Sequence, residues 1–209
     1  IRRMTDRIGE QSNAALSADM ESGYGITPDE VAATVTKTIA AGAVGINIED
    51  TDHRTRGSTG GGTGSSTGGA LFDFALAVER IAGAREAADA TGIPFVLNAR
   101  TDTYWHGARD KTVMHDEAHD ETLRRAAAFR DAGADCIFVP GPTDREVIAR
   151  LATDIDAPLN VMGGAKSPGI DVLSEIGVRR VTVGAIMARA TYDTLEKAAA
   201  ELRDTGTFT

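Results

Sequence analysis

Apolar positions along the chain follow two alternating patterns. Short runs rich in β-branched residues, at 15–19, 44–49, 94–98, 135–139, 158–162 and 180–183, alternate with amphipathic stretches at 28–41, 71–91, 116–132, 144–153, 170–176 and 185–203. The first kind has the character of buried strands, the second the 3.6-residue period of helices. Thr27-Pro28-Asp29-Glu30 places a cap, an N1 proline and first-turn acids in the order that opens a helix. Gly42, Gly92, Gly133 and Gly177 stand where a left-handed residue closes one. Strict alternation of six strand and helix units predicts parallel strands with right-handed crossovers. An open doubly wound sheet and a closed barrel both satisfy it. The chain reads as one domain, 1–209. Its opening, IRRMTDRIGE, reads as the middle of an amphipathic helix, so residue 1 is not expected to be the natural start.

One segment breaks the pattern. Residues 57–69 contain only Gly, Ser and Thr, a linker composition with no side chains to pack. Because it joins two elements inside the alternation, the stretch 51–69 is expected to be a mobile loop over one end of the sheet.

Composition narrows the class. Hydrophobic residues make up 42% and charged residues 25%, which predicts a globular core and excludes disorder for most of the chain. With 22 Lys and Arg against 31 Asp and Glu the net charge is −9, so neither nucleic acid nor an anionic membrane surface is expected as a partner. No apolar run approaches the roughly 20 residues that span a bilayer, and a cytoplasmic protein is expected. The lone cysteine, Cys136, excludes an internal disulfide and a multi-thiolate zinc site, and its apolar setting predicts a buried, inert thiol.

Familiar motifs fail on spacing. Gly163-Gly164-Ala165-Lys166-Ser167 lacks the Walker spacing, and His115-Asp116-Glu117-Ala118-His119 has its Glu one place too late for H-E-x-x-H. The second stretch is expected to be a solvated helix start. The chemistry concentrates instead at strand ends, where parallel α/β folds bind ligands. These ends carry Asp19 with Glu21, then Glu49, then Arg100. Asp19 and Glu21 are two apart, so in an extended strand they point the same way. Oxygen ligands without His or Cys select a hard divalent ion, Mg²⁺, held by Asp19, Glu21 and Glu49. Arg100 offers a planar fork for a carboxylate or phosphonate. Gly23 and Tyr24, in the glycine-rich turn after Glu21, are candidate substrate contacts. His53, close to Glu49, is a candidate catalytic residue beside Glu49 and Arg100. Arg54 and Arg56 in the following loop would favour a doubly charged phosphonate.

At these residues the sequence resembles the isocitrate lyase and phosphoenolpyruvate mutase superfamily. The matching pieces are LSADMESGYG (16–25), AGAVGINIED (41–50), NARTD (98–102), AGADCIFVPG (132–141) and GVRRVTVG (177–184), in the family's order along nearly the whole chain. The resemblance implies a (β/α)8 barrel of which this chain carries six units, the first two being absent. It also implies a homodimer or homotetramer that exchanges its last helix. In the site it implies Mg²⁺ on Asp19, with Glu21 and Glu49 acting directly or through water, and substrate on Arg100 with a further polar contact from Asn160. Two departures stand out: Glu21 occupies a position where many members have Asp, and the K-K-C-G-H loop of the lyases is replaced by Thr51-Asp52-His53-Arg54-Thr55-Arg56. Isocitrate or methylisocitrate cleavage is therefore not expected. The expected function is Mg²⁺-dependent cleavage or rearrangement of a C–C or P–C bond in a small 2-oxo acid through an enolate; the alternative is an inactive barrel that binds a small carboxylate or phosphonate.

Overall fold

The computed structural model describes residues 1–55, 69–109 and 115–208. In chain order the elements are α1 (Arg2–Gln11), β1 (Ser17–Asp19), α2 (Pro28–Ala40), β2 (Gly45–Glu49), β3 (Thr51–Asp52), a 3-10 turn (His53–Thr55), β4 (Ala70–Leu71) and α3 (Phe74–Asp89). There follow β5 (Val96–Arg100), α4 (Thr103–Arg109), α5 (His115–Asp131), β6 (Cys136–Val139), α6 (Arg145–Asp154), β7 (Leu159–Met162), α7 (Ile170–Glu175), β8 (Arg180–Thr182) and α8 (Ile186–Thr205). β1, β2, β5, β6, β7 and β8 pair in that order as one parallel sheet, while β3 and β4 form a small antiparallel hairpin.

Strand alternation sorts the sheet's two faces. Ile46, Ile48, Leu97, Ala99, Ile137, Val139, Leu159 and Val161 are buried among Val31, Val35, Ile81, Phe129, Ile148 and Leu151 of the helices. The residues between them, Asp19, Asn47, Glu49, Asn98, Arg100 and Asn160, form the opposite, polar face. The edges curve toward one another: Arg180 Nη2 on β8 reaches Ser17 Oγ on β1 at 3.5 Å. The fold is thus an α/β half-barrel of the (β/α)8 type.

Helix starts follow the expected chemistry. Thr27 and Glu30 form a reciprocal capping box on α2. Asp73 and Asp144 cap α3 and α6. Gly42, Gly92, Gly133 and Gly177 all take positive φ, as predicted for helix ends. The third main strand runs two residues later than expected, Val96–Arg100 instead of 94–98, because Pro94 has no N–H to donate and pairing begins with Val96 N to Val44 O. As a result Arg100 lies inside the strand. The helix expected from 71 begins at Phe74, because Leu71 is paired in β4 and Asp73 caps. Helix α4 and the β3–β4 hairpin were not expected.

His119 departs furthest from its expected place on a solvated helix face. It is 1% exposed, with Tyr104 Oη at 3.0 Å from Nδ1 and Asp154 Oδ2 at 2.9 Å from Nε2, partners supplied by α4 and α6. Most of the glycine-rich loop, and Arg56 with it, lies outside the described residues. Among the described residues no helix is long and apolar enough to cross a membrane.

Cys136 is buried as expected, and burial pushes its thiol up to about 11. The thiolate fraction at neutral pH is then about 100-fold below that of a thiol at the ordinary value. Reaction of the folded protein with a thiol reagent is expected to lag the urea-unfolded chain by at least that factor, and equal rates would contradict the burial.

Candidate active site

The register of β2 against β5 sets Glu49 beside Arg100. Arg100 Nη1 meets Glu49 Oε2 at 2.6 Å, while Nε and Nη2 donate to Asp102 Oδ1 and Oδ2 at 2.6 and 3.1 Å. The guanidinium also lies over Trp105, 4.7 Å from its ring centre, with Phe138 at 5.7 Å. Burial alone would lower its pKa, but the charge and hydrogen bonds of Asp102, with the charge of Glu49, outweigh this and raise it. Two of its N–H groups donate to Asp102, and Nη1 lies against Glu49 as an ion pair.

Glu49 is almost fully buried, and its second oxygen, Oε1, is hydrogen-bonded to His53 Nε2. Burial raises the Glu49 pKa; the His53 hydrogen bond and the Arg100 charge pull against it. His53 moves up as well, chiefly through its bond to Glu49. The 3-10 turn directly after β3 brings His53 back to Glu49 at the end of β2.

At the neighbouring strand end, Asp19 Oδ1 accepts from Glu21 N at 3.1 Å and Asn47 Nδ2 at 3.2 Å. Asn47 Oδ1 in turn accepts from Asn98 Nδ2 at 2.9 Å. The chain then leaves the extended conformation. Glu21, Gly23 and Tyr24 have φ of +51°, +83° and +52°, so Glu21 sits in a tight turn and does not continue the strand face, a correction to the expected parallel pair. Left-handed backbone costs about 1–2 kcal/mol at each non-glycine residue, so the surrounding packing must hold the turn. At Gly23 a Cβ would come within 3.1 and 3.2 Å of the Val31 methyls. Glu49 N donates to Glu21 O at 2.9 Å, tying the turn to β2. Tyr24 is exposed, and its phenol is raised by partial burial and then by the charges of Glu21, Asp19 and Glu49, which places it in the field of all three acids.

The donor set around this rim is oxygen-rich. Among the described residues no three His, Cys, Asp or Glu side chains converge as a metal cage. Asp19, by contrast, is exposed and, among the described residues, bonded to protein only through Oδ1, and Asn98 Oδ1 nearby on the same face is buried with no hydrogen-bond partner among them. One or two carboxylates plus ordered water is the way Mg²⁺ is commonly held, and these residues fit a hydrated ion of that kind.

The structure therefore gathers Asp19, Glu21, Gly23, Tyr24, Glu49, His53 and Arg100 at one end of adjoining strands. Asn160 is not presented in the same way: it is fully buried, and its amide exchanges hydrogen bonds with Thr182 at 2.9 and 3.1 Å. Arg54 forks onto Asp52 at 2.8 and 2.6 Å and is not a free anion-binding group. Asp102 and Trp105, which grip Arg100, were missed. The R-x-D spacing at the strand end was the available signal for Asp102.

Comparison with known proteins identifies the family. The profile of the family described as phosphoenolpyruvate phosphomutase matches residues 1–203. An uncharacterized protein of Mycobacterium tuberculosis (strain ATCC 25618 / H37Rv) is 33% identical over 173 residues, covering 82% of this chain and 55% of the relative. The oxaloacetate decarboxylase of Bradyrhizobium sp. (strain BTAi1 / ATCC BAA-1182) is 29% identical over 207 residues, 94% of this chain and 64% of the relative. A crystal structure of a candidate lyase/mutase from Burkholderia cenocepacia J2315 superposes with a TM-score of 0.78 at 38% identity, covering 100% of this chain and 70% of that one. The chain spans about half the length of the first curated relatives it matches. With strand ends that bring Asp19, Glu49 and Arg100 together and a family match along nearly its whole length, the chain belongs to the phosphoenolpyruvate mutase family of the isocitrate lyase superfamily, a group of lyases and mutases.

Proposed function

We propose that this chain forms the catalytic half-barrel of a Mg²⁺-dependent lyase or mutase. Its substrate is a small 2-oxo acid of the phosphonopyruvate or oxaloacetate kind, cleaved or rearranged at a C–C or P–C bond through an enolate. The observation that carries the reading is Arg100: a buried guanidinium clamped by Asp102 and Glu49, beside the acids of the neighbouring strand ends. A planar fork fixed in this way suits a carboxylate or phosphonate.

Asp19 would hold the ion directly, and Glu21 and Glu49 through water. When bound, Mg²⁺ supplies positive charge to the oxygens on which negative charge develops. Arg100 binds the distal anionic group and orients the bond to be broken. His53 Nε2, bonded to Glu49 Oε1, is the acid or base of the site in this reading. Gly23 and Tyr24 form the wall on the side of β1. Helix α8 exposes Met187, Tyr192, Leu195 and Leu202 and buries no residue, the kind of face that a homodimer or homotetramer exchanging this helix covers.

The test is turnover of phosphonopyruvate, phosphoenolpyruvate and oxaloacetate, each with Mg²⁺ and with EDTA. One class is expected to react with Mg²⁺ and to stop with EDTA. The missing K-K-C-G-H cysteine favours a second reading, a barrel that binds without reacting. In that case Mg²⁺ with oxalate raises the melting temperature and nothing turns over. Neither turnover nor stabilisation with any divalent ion sinks both.

A further inference from the structure

Arginine is seldom fully buried unless a carboxylate pairs with it. Arg80, in the middle of α3, is 1% exposed, and its guanidinium bonds to main-chain carbonyls and to no carboxylate among the described residues. Nη1 donates to Gly25 O at 2.7 Å and to Ile26 O at 2.6 Å, and Nη2 donates to Ser22 O. Phe72 covers one face of the group, 4.1 Å from ring centre to guanidinium carbon. Burial brings its pKa down to about 10, so it is still a cation at neutral pH.

Those three carbonyls belong to the turn with positive φ at Glu21, Gly23 and Tyr24. The donors of the same turn are met from the other side, where Glu30 Oε2 accepts from Ile26 N at 2.7 Å and from Thr27 N at 3.0 Å. A carboxylate from α2 holds the N–H groups and a guanidinium from α3 holds the carbonyls. No neutral side chain offers three donors in one plane, and no acid in contact explains the charge. Carbonyls brought together in a tight turn concentrate partial negative charge close to Asp19 and Glu21, and the cation beneath them offsets it.

We propose that Arg80 is a positioning residue of the active site. By gripping the carbonyls of Ser22, Gly25 and Ile26 it fixes the turn that presents Glu21, Gly23 and Tyr24, and it thereby sets the affinity of the site from the helix behind it. The ligand half of this assignment rests on the proposed function; the hold on the turn does not.

Arg80→Lys keeps the charge and removes the planar set of donors. Hydrogen exchange of residues 20–27, followed by mass spectrometry, is expected to accelerate about tenfold, the effect of losing one charge-assisted hydrogen bond, with the rest of the sheet unchanged. Oxalate affinity in the presence of Mg²⁺, measured by calorimetry, is expected to weaken by a similar factor, about tenfold. Parental exchange at the turn, protection lost evenly across the sheet, or unaltered oxalate affinity despite faster exchange each overturns the assignment. Should Arg80→Lys not fold, Phe72→Leu uncovers the guanidinium while leaving its carbonyl bonds, and a smaller, severalfold acceleration confined to the turn is expected; none there overturns the proposal. If the parent itself takes up no oxalate, the exchange measurement alone decides on Arg80, and the functional reading is decided by turnover.

Discussion

Replacing Arg100 with alanine is expected to lower kcat/KM by roughly 30- to 5,000-fold, the equivalent of the 2–5 kcal/mol lost when one member of a buried charged contact is truncated. Two effects combine. The substrate loses its planar anchor, and Glu49 and Asp102, both nearly inaccessible to solvent, lose the cation that neutralises them. Arg100→Lys keeps the charge and loses the fork, so it is expected to fall between the parent and the alanine variant. Measuring oxalate affinity alongside kcat/KM separates the anchor from the repulsion of unpaired acids. Activity and affinity equal to the parent in Arg100→Ala would remove this residue from the site, and the proposed function with it.

The largest effect on stability is expected away from the rim, at Arg125→Ala. Arg125 on α5 donates through Nη1 to Asp50 Oδ2 at 3.2 Å, through Nε to Glu121 Oε1 at 2.7 Å and through Nη2 to Phe72 O at 3.1 Å. Asp50 is also held by the Thr101 hydroxyl at 2.8 Å and Asp102 N at 2.9 Å, so it fastens the end of β2 to the start of the segment after Arg100. Removing one partner of a buried pair costs about 3–5 kcal/mol, to be read from urea unfolding. The sign of the pH dependence follows from Asp50, whose pKa burial pushes up to about 6 from 3.8 although Arg125 pulls it back. Between those values the folded state keeps a proton that the unfolded chain releases, so the contribution of Asp50 falls as pH rises through this window. Without Arg125 the pKa of Asp50 moves further up. The deficit of the variant is therefore expected to be greatest at about pH 7 and to narrow toward about pH 5, where Asp50 is protonated in both proteins. A pH-independent deficit would show that Arg125 acts through packing alone.

The strands were readable from the chain because each is short and apolar on its outer face, and β1, β2 and β5 are closed off by a charged residue at their carboxyl ends. That pattern alone placed Asp19 and Glu49 at one rim with Arg100. It could not place Glu21, whose direction is set by a positive φ that glycine-rich spelling suggests but does not locate. Nor could it place His119, which is polar in a polar stretch and becomes buried only because Tyr104 and Asp154 arrive from α4 and α6. The grip of Asp102 on Arg100 is local, two residues apart, and was within reach of sequence reasoning. The grip of Arg80 on the turn spans 54 to 58 residues and was not. Helical period marks Arg80 only as one position on α3, and nothing in the local sequence says that a charged side chain there faces backbone and not water.

Trp105 is the only tryptophan in the chain and lies against the guanidinium of Arg100. Indole emission responds to charge in its immediate surroundings, so an anion settling on Arg100 changes the single indole of the protein at the point of contact. Occupancy can thus be followed optically in the unlabelled molecule, with no background from a second indole.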